Sequence, residues 1–205
     1  MTDPPGEHPL PTATLNSRNP LILTLSPGAI LYRHHETAYS PIYYGKSGKY
    51  RFDDPTCPDP SSYGVLYIGH DPHCCFIESC VPTTCAPAVS GAYLADRAMA
   101  TLQLTEELRF VDLATSGGLM RIGADGRLVN GSYKVAQQWS AALRLHPSKP
   151  DGICYPARHD PTRIAYAVFE RAHSPFNIGS LGSLMSSSNK ALLNQLLNDY
   201  CVDLL

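Results

Sequence analysis

Apolar residues fall in short runs along most of this chain, and one stretch carries a clear helical stripe. Between Ser132 and His146, the residues Val135, Trp139, Ala142 and Leu143 recur at three- and four-residue spacing. That spacing predicts an amphipathic helix, capped by Ser132 and ended by Pro147 and Pro150. The runs YGVLYIG (63–69), LRFVDL (108–113), DGICYP (151–156) and RIAYAVFE (163–170) read as strands. The last is nearly all apolar, which predicts a central strand buried on both faces. Asp71 and Pro72 fit the N-cap and first position of a short helix through HCCFIESCV. Residues 92–104 read as a weak helix, and Gly117-Gly118 as a turn. Residues 1–28, with Pro4, Pro5, Pro9, Pro11, Pro20 and Pro27, read as an extended arm with a short strand at 21–25. Residues 29–60, rich in Tyr, Gly and Pro, read as strands and long loops. Residues 179–188 read as a Ser/Gly linker before a final helix at 189–204. That helix carries Leu192, Leu193, Leu196, Leu197, Tyr200 and Leu204, a stripe that can dock on its own domain or on a partner chain. Short strands with few helices and no regular alternation give an α+β fold class.

Composition narrows the setting. The chain has 205 residues, 43% of them hydrophobic, enough for a globular domain with a sizeable core. Its formal net charge is −2 with no run of Lys or Arg, so no direct nucleic-acid or membrane partner is expected, although a local basic pocket stays open. No apolar run approaches the roughly 20 residues of a membrane span, and the first residues lack the pattern of a secretory signal. A cytoplasmic protein is the expectation. Cys57, Cys74, Cys75, Cys80, Cys85, Cys154 and Cys201 make an odd set with no CxxC pair, which points to free thiols in a reducing compartment. Cys74, Cys75 and Cys80 with His70 and His73 match no common zinc spacing, and no metal is expected.

Glu78 is the residue that asks for an explanation. Its helical neighbours three and four residues away are Cys74, Cys75 and Val81, an apolar face expected to point inward. A buried carboxylate needs a cation or hydrogen-bond donors, and such acids recur in active sites. A Glu that turns its tip to solvent or closes a core ion pair fits the same pattern. Arg33 in ILYRHH and Arg51 in GKYRFDDP stand in aromatic settings upstream. Each alone reads as a surface or scaffold arginine.

Taken in order, these segments resemble the RES-domain family. The resemblance runs from about Ile30 to Arg171 through LYR, Gly-x-x-Arg-Phe, Gly-Val-Leu-Tyr and the Glu78 helix. It continues through VDL (111–113), Gln138-Trp139, DGI-x-Y (151–155) and VFER (168–171). It implies a RES-like catalytic domain over 29–178, between the arm at 1–28 and the linker and amphipathic helix at 179–205. It also implies an ADP-ribosyltransferase-like split β-sheet with a few flanking helices and a cleft for NAD. Members are toxins of toxin–antitoxin pairs that consume NAD by cleaving the nicotinamide–ribose bond, by hydrolysis or phosphorolysis. Their usual partner is a helix-turn-helix antitoxin that covers the site. By matching position, Arg33 and Arg51 are the family's arginines, Tyr67 its strand tyrosine and Glu78 its glutamate. His34 stands where members carry an aromatic residue; it either stacks on the substrate or is a loop histidine. Arg158 is the arginine of the motif after DGI-x-Y.

The residue types suit that chemistry. Cleaving the bond to nicotinamide passes through an oxocarbenium-like ribose, which a nearby carboxylate stabilises. Two arginines can hold a diphosphate, and Tyr67 offers a flat face and a hydroxyl. Nicotinamide leaves as a neutral molecule, and phosphate is open as an acceptor in place of water. One departure matters: the family has Ser before Arg158, and this chain has Ala157. Two alternatives to the toxin reading stand: a protein ADP-ribosyltransferase, which the same fold class permits, and an NAD-binding protein weakened in turnover by Ala157.

Overall fold

A computed structural model describes residues 6, 8–81 and 87–205 of the chain; Pro4, Pro5 and Cys85 lie outside the described residues. The described elements run β1 (Ile22–Leu25), β2 (Ile30–Glu36), β3 (Val65–Gly69), α1 (Pro72–Cys80), β4 (Ala88–Val89) and α2 (Gly91–Ala95). They continue with β5 (Arg97–Leu104), β6 (Leu108–Asp112), α3 (Gly118–Ile122), α4 (Arg127–Asn130) and α5 (Tyr133–Arg144). The last are β7 (Gly152–Pro156), β8 (Ile164–Phe169), β9 (Phe176–Gly182), α6 (Lys190–Asp199) and β10 (Asp203–Leu204). Eight strands form one sheet in the order β1-β6-β7-β8-β3-β2-β5-β9, and β10 pairs with β4. Within the large sheet only β6 and β7 are parallel. The fold is α+β, as expected.

The sheet is nearly divided in two. β8 and β3 pair over five residues, and β2 and β5 over seven. β3 and β2, which join these halves, share a single register pair, Tyr32 with Gly69. At the other end of β3, Val65 bridges to Gly45 of a loop instead. Gly69 is also where α1 turns back onto the sheet. A Cβ there would lie 2.8 Å from Cys75 Sγ and 3.1 Å from its amide nitrogen, so only glycine allows this approach.

Apolar side chains cover both faces. Ala165, Ala167 and Phe169 of β8 enter one cluster with Ile153, Trp139, Leu143 and Ile77; Tyr166 and Val168 enter the other with Leu31, Leu66 and Phe110. β8 is therefore the doubly buried central strand its sequence predicts. The stripe of α5 packs as expected, with Val135, Trp139 and Leu143 buried. Ser132 holds the N-cap position of α5 without a side-chain hydrogen bond, so the expected cap is not made. A third cluster docks α6 on its own domain, placing Leu193 and Leu196 against Phe76, Leu94 and Met99. Tyr200 stacks on Phe76. The proline-rich arm also lies on the domain: Trp139 Nε1 donates to the Pro9 carbonyl at 2.9 Å, and β1 joins the large sheet through β6.

Two expectations are corrected. Residues 92–104 hold only the one-turn α2; from Arg97 to Leu104 the chain is strand β5, not helix. Its Ala, Met and Leu content favours a helix locally, but ladders to β2 and β9 on both sides override that preference. The Ser/Gly stretch is not a linker at its start, because β9 runs to Gly182. Gly179 sits so close to Thr101 that a Cβ would collide with its hydroxyl, so a small residue is what the pairing requires. The final helix ends at Asp199, and Asp203–Leu204 form β10.

His34 of β2 fastens the sheet to α1. Its Nδ1 lies 2.9 Å from Ser79 Oγ, which itself donates to the Cys75 carbonyl at 2.6 Å. Ser79 therefore accepts from Nδ1–H, and the buried Nε2 keeps a bare lone pair with no partner among the described residues. Burial first, then Arg97 and His35, push the imidazole down to about 4.

Two predictions follow from this packing. Asp71 accepts from the Cys74 amide at 2.8 Å and caps α1 as expected. Asp71→Ala should lower the unfolding free energy by about 1 kcal/mol or more in a urea titration, while Asp71→Asn, which keeps an acceptor, should lose less. The imidazole of His34 is neutral in the folded chain down to about pH 4, whereas the unfolded chain takes up its proton near pH 6.5. This contribution to stability is full above pH 6.5 and falls by up to about 1.4 kcal/mol per pH unit between there and pH 4. Urea titrations across that range should show a shallower fall for His34→Gln than for the natural chain.

Candidate active site

Where the two half-sheets part, a cleft of about 810 Å³ opens, within the size range of ligand sites. Arg33, His34, Arg51, Tyr67, Glu78 and Arg158 all line it. Ala157 does not; its side chain is 1% exposed and packs beneath the floor with Cys74 and Tyr155.

α1 is covered on two sides, which sets the place of Glu78. Cys74 and Ile77 enter the cluster against the sheet, while Cys75, Phe76 and Cys80 enter the cluster under α6. Glu78 lies on the seam between these stripes. Of its neighbours Cys74 and Cys75 are buried as expected and Val81 is half-buried, but the glutamate itself is exposed and lines the cleft. Protein on several sides of the carboxyl still strips water from it and raises its pKa. The Arg158 amide, His159, Arg51 and the Arg158 side chain act in the opposite direction. The Arg158 N–H donates to Glu78 Oε1 at 2.7 Å and fixes the carboxylate.

Main-chain oxygens hold both arginines. Arg33 Nη1 donates to the carbonyls of Pro41 at 2.7 Å and Tyr43 at 3.2 Å. Burial lowers its pKa to about 10, so it remains a cation at neutral pH. Arg51 is buried, donates from Nη1 to the Gly131 carbonyl at 2.9 Å, and lies 4.5 Å from the centre of the Tyr133 ring. Burial lowers its pKa as well, with Tyr133 and Tyr155 offsetting that effect.

The Tyr67 hydroxyl is already engaged. It donates to Asp53 Oδ1 at 3.0 Å and accepts from the Phe52 amide at 2.9 Å. Asp53, fully buried, also accepts from the Tyr50 amide at 3.2 Å. Together they clamp the segment that carries Arg51, which leaves the ring of Tyr67 as its contribution to the cleft wall. Desolvation raises the pKa of Asp53 and pushes the Tyr67 phenol well up.

Sequence reasoning passed over Asp53 and Tyr155. The pair of acids after Arg-Phe in GKYRFDDP was the available signal for the first. For Tyr155 it was the position two residues before Ala157, since alternate residues of a strand share a face. Tyr155 is 6% exposed, lines the cleft, packs edge-on against Phe52, and its hydroxyl makes no hydrogen bond among the described residues. Burial and the nearby Glu78 push its pKa well up, so it is a donor at neutral pH. Among the described residues no three His, Cys, Asp or Glu side chains gather as a metal-ligand set, and no helix is long and apolar enough to cross a membrane.

Comparison with known proteins identifies the family and the fold. A protein of Sinorhizobium fredii (strain NBRC 101917 / NGR234) named "Probable toxin y4kH" is 33% identical over 114 residues, covering 55% of this chain and 87% of that protein. A chain of the M.tuberculosis MbcT–MbcA toxin–antitoxin complex matches with a TM-score of 0.52 over 84% of this chain and 91% of its own. At 14% identity that likeness is one of fold. The family model of the RES domain matches residues 30–180, taking in every strand and helix that lines the cleft, and the chain belongs to the RES domain family.

Proposed function

We propose that this chain consumes NAD by cleaving the nicotinamide–ribose bond, as the toxin of a toxin–antitoxin pair. The observation that carries the reading is Glu78: a carboxylate fixed by a main-chain N–H at 2.7 Å, in a cleft otherwise rich in cations. A fixed anion, partly desolvated by the cleft walls, favours a neighbouring oxocarbenium-like ribose more than it favours the neutral sugar. Arg51, held by the Gly131 carbonyl, offers positive charge for the diphosphate. Nicotinamide departs as a neutral ring beside the face of Tyr67. Water or phosphate then completes the reaction at the ribose carbon. The printed names of the similar proteins, a probable toxin and a toxin–antitoxin complex, support the biological role and an antitoxin partner. That this partner is of the helix-turn-helix kind and covers the cleft is what the family resemblance implies.

Ala157 favours a second reading, an NAD-binding protein with weak turnover. It carries no hydroxyl, and its methyl is enclosed. Tyr155 answers this in part. It lines the cleft and its hydroxyl makes no hydrogen bond among the described residues, so it is a donor that can stand in for the absent serine hydroxyl.

Two measurements decide between the readings. The first compares nicotinamide release from NAD, with and without phosphate, for the natural chain and Glu78→Gln. The amide keeps the shape but not the charge, so release should fall by at least about a hundredfold with an unchanged thermal melt. Unchanged release would remove Glu78 from the mechanism. The second concerns Ala157→Ser, which should raise turnover about tenfold or more if the added hydroxyl contributes at least about 1.4 kcal/mol to the transition state. Equal and substantial turnover of both would take position 157 out of the catalytic set. Binding of NAD by both without turnover would favour the binding protein.

A further inference from the structure

The loop between β2 and β3 carries a feature that Glu78 and its cations do not explain. Tyr39 and Tyr43 stack on each other with ring centres 5.2 Å apart and planes 28° from parallel. Both line the cleft, and both are about half exposed, 53% and 49%. Paired aromatic rings left open inside a pocket are a surface that favours a ligand.

The backbone under these rings is fixed at three points. Before them, the Thr37 amide and hydroxyl both donate to the Asp96 carbonyl at 3.0 Å. After them, Gly45 and Val65 exchange two hydrogen bonds of 3.0 Å. Between those ends, Arg33 Nη1 gathers the carbonyls of Pro41 and Tyr43. A platform held this way loses little freedom when a ligand lands on it. The two rings already touch, so a third ring adds to the outside of the stack rather than entering it. The ligand group is therefore flat and aromatic. Because Arg33 stands at the base of the loop and Lys49 lines the same cleft, that group comes attached to an anion.

We propose that Tyr39 and Tyr43 form the seat for the purine base of the substrate's nucleotide half, with Arg33 as the positioning residue that holds the seat. This rests on the NAD reading for the identity of the base. It gives Arg33 a role that a phosphate grip alone does not: the guanidinium sets the course of the loop through the carbonyls of Pro41 and Tyr43.

The test uses the full chain and two probes that share a sugar and a phosphate and differ by the base, adenosine monophosphate and ribose 5-phosphate. Calorimetric titration should show the adenosine probe bound about tenfold more tightly or better, in line with base–tyrosine stacking. The Tyr39→Ala/Tyr43→Ala double variant should lose that margin, and Tyr39→Phe/Tyr43→Phe should keep it. Equal binding of the two probes by the natural chain overturns the seat, as does an undiminished margin in a normally melting alanine variant. A second measurement avoids variants. Nitration of the natural chain by tetranitromethane, mapped by mass spectrometry, should be suppressed at Tyr39 and Tyr43 by adenosine monophosphate and not by ribose 5-phosphate. Unprotected tyrosines overturn the proposal. Base-specific binding in a chain that releases no nicotinamide from NAD would keep the seat and remove NAD cleavage, so the two failures are distinguishable.

Discussion

The structure turns on the weak seam between β2 and β3. Both are well paired on their far sides, yet they meet through one register pair, Tyr32 with Gly69. A sheet that continued its ladder here would fill the space with paired backbone and leave no cleft. The seam stays open because the chain after β2 leaves as a loop, and β3 takes a bridge to Gly45 in place of a full partner. Gly69 then lets α1 drop against the end of the strand, which carries Glu78 to the gap. The glycine thus sets the place of the acid at an opening that the loop after β2 leaves.

Around that gap, charge is held mainly by backbone. The carboxylate of Glu78 receives an amide, and the two arginines give hydrogen bonds to carbonyls of two separate loops, Arg33 to Pro41 and Tyr43 and Arg51 to Gly131. No direct ion pair joins Glu78 to Arg51 among the described residues, so the cations are not neutralised by the acid before a ligand arrives. Peptide dipoles satisfy part of each guanidinium and leave its net charge in place. Burial lowers the pKa of both arginines without approaching neutral pH for Arg33, so the cleft keeps its positive character.

Much of this was legible in the sequence, for identifiable reasons. β8 declared itself by a continuous apolar run, α5 by its stripe, and α1 by Asp71-Pro72. The six cleft-lining residues among the candidates could be picked because their order along the chain resembles one family. Other features depend on partners far away in the chain. β5 has helix-forming residues and becomes a strand only because β2 and β9 flank it. The direction of Glu78 could not follow from helical spacing alone, since whether that stripe met protein or a gap depended on α6 and on the split sheet. Asp53 was hidden because its donors come from Tyr67 as well as from its own loop. The enclosure of Ala157 likewise depends on a buried cluster drawn from distant parts of the chain, which no local pattern states.

The bond from the Arg158 amide to Glu78 has a consequence for how this protein can drift in sequence. A donor that belongs to the main chain is supplied by every residue except proline. Nineteen of the twenty genetic choices at position 158 therefore preserve the grip on the acid, while the side chain there is free to change with whatever the cleft meets. The geometry of the site and its recognition of a ligand are in this way inherited separately at one codon.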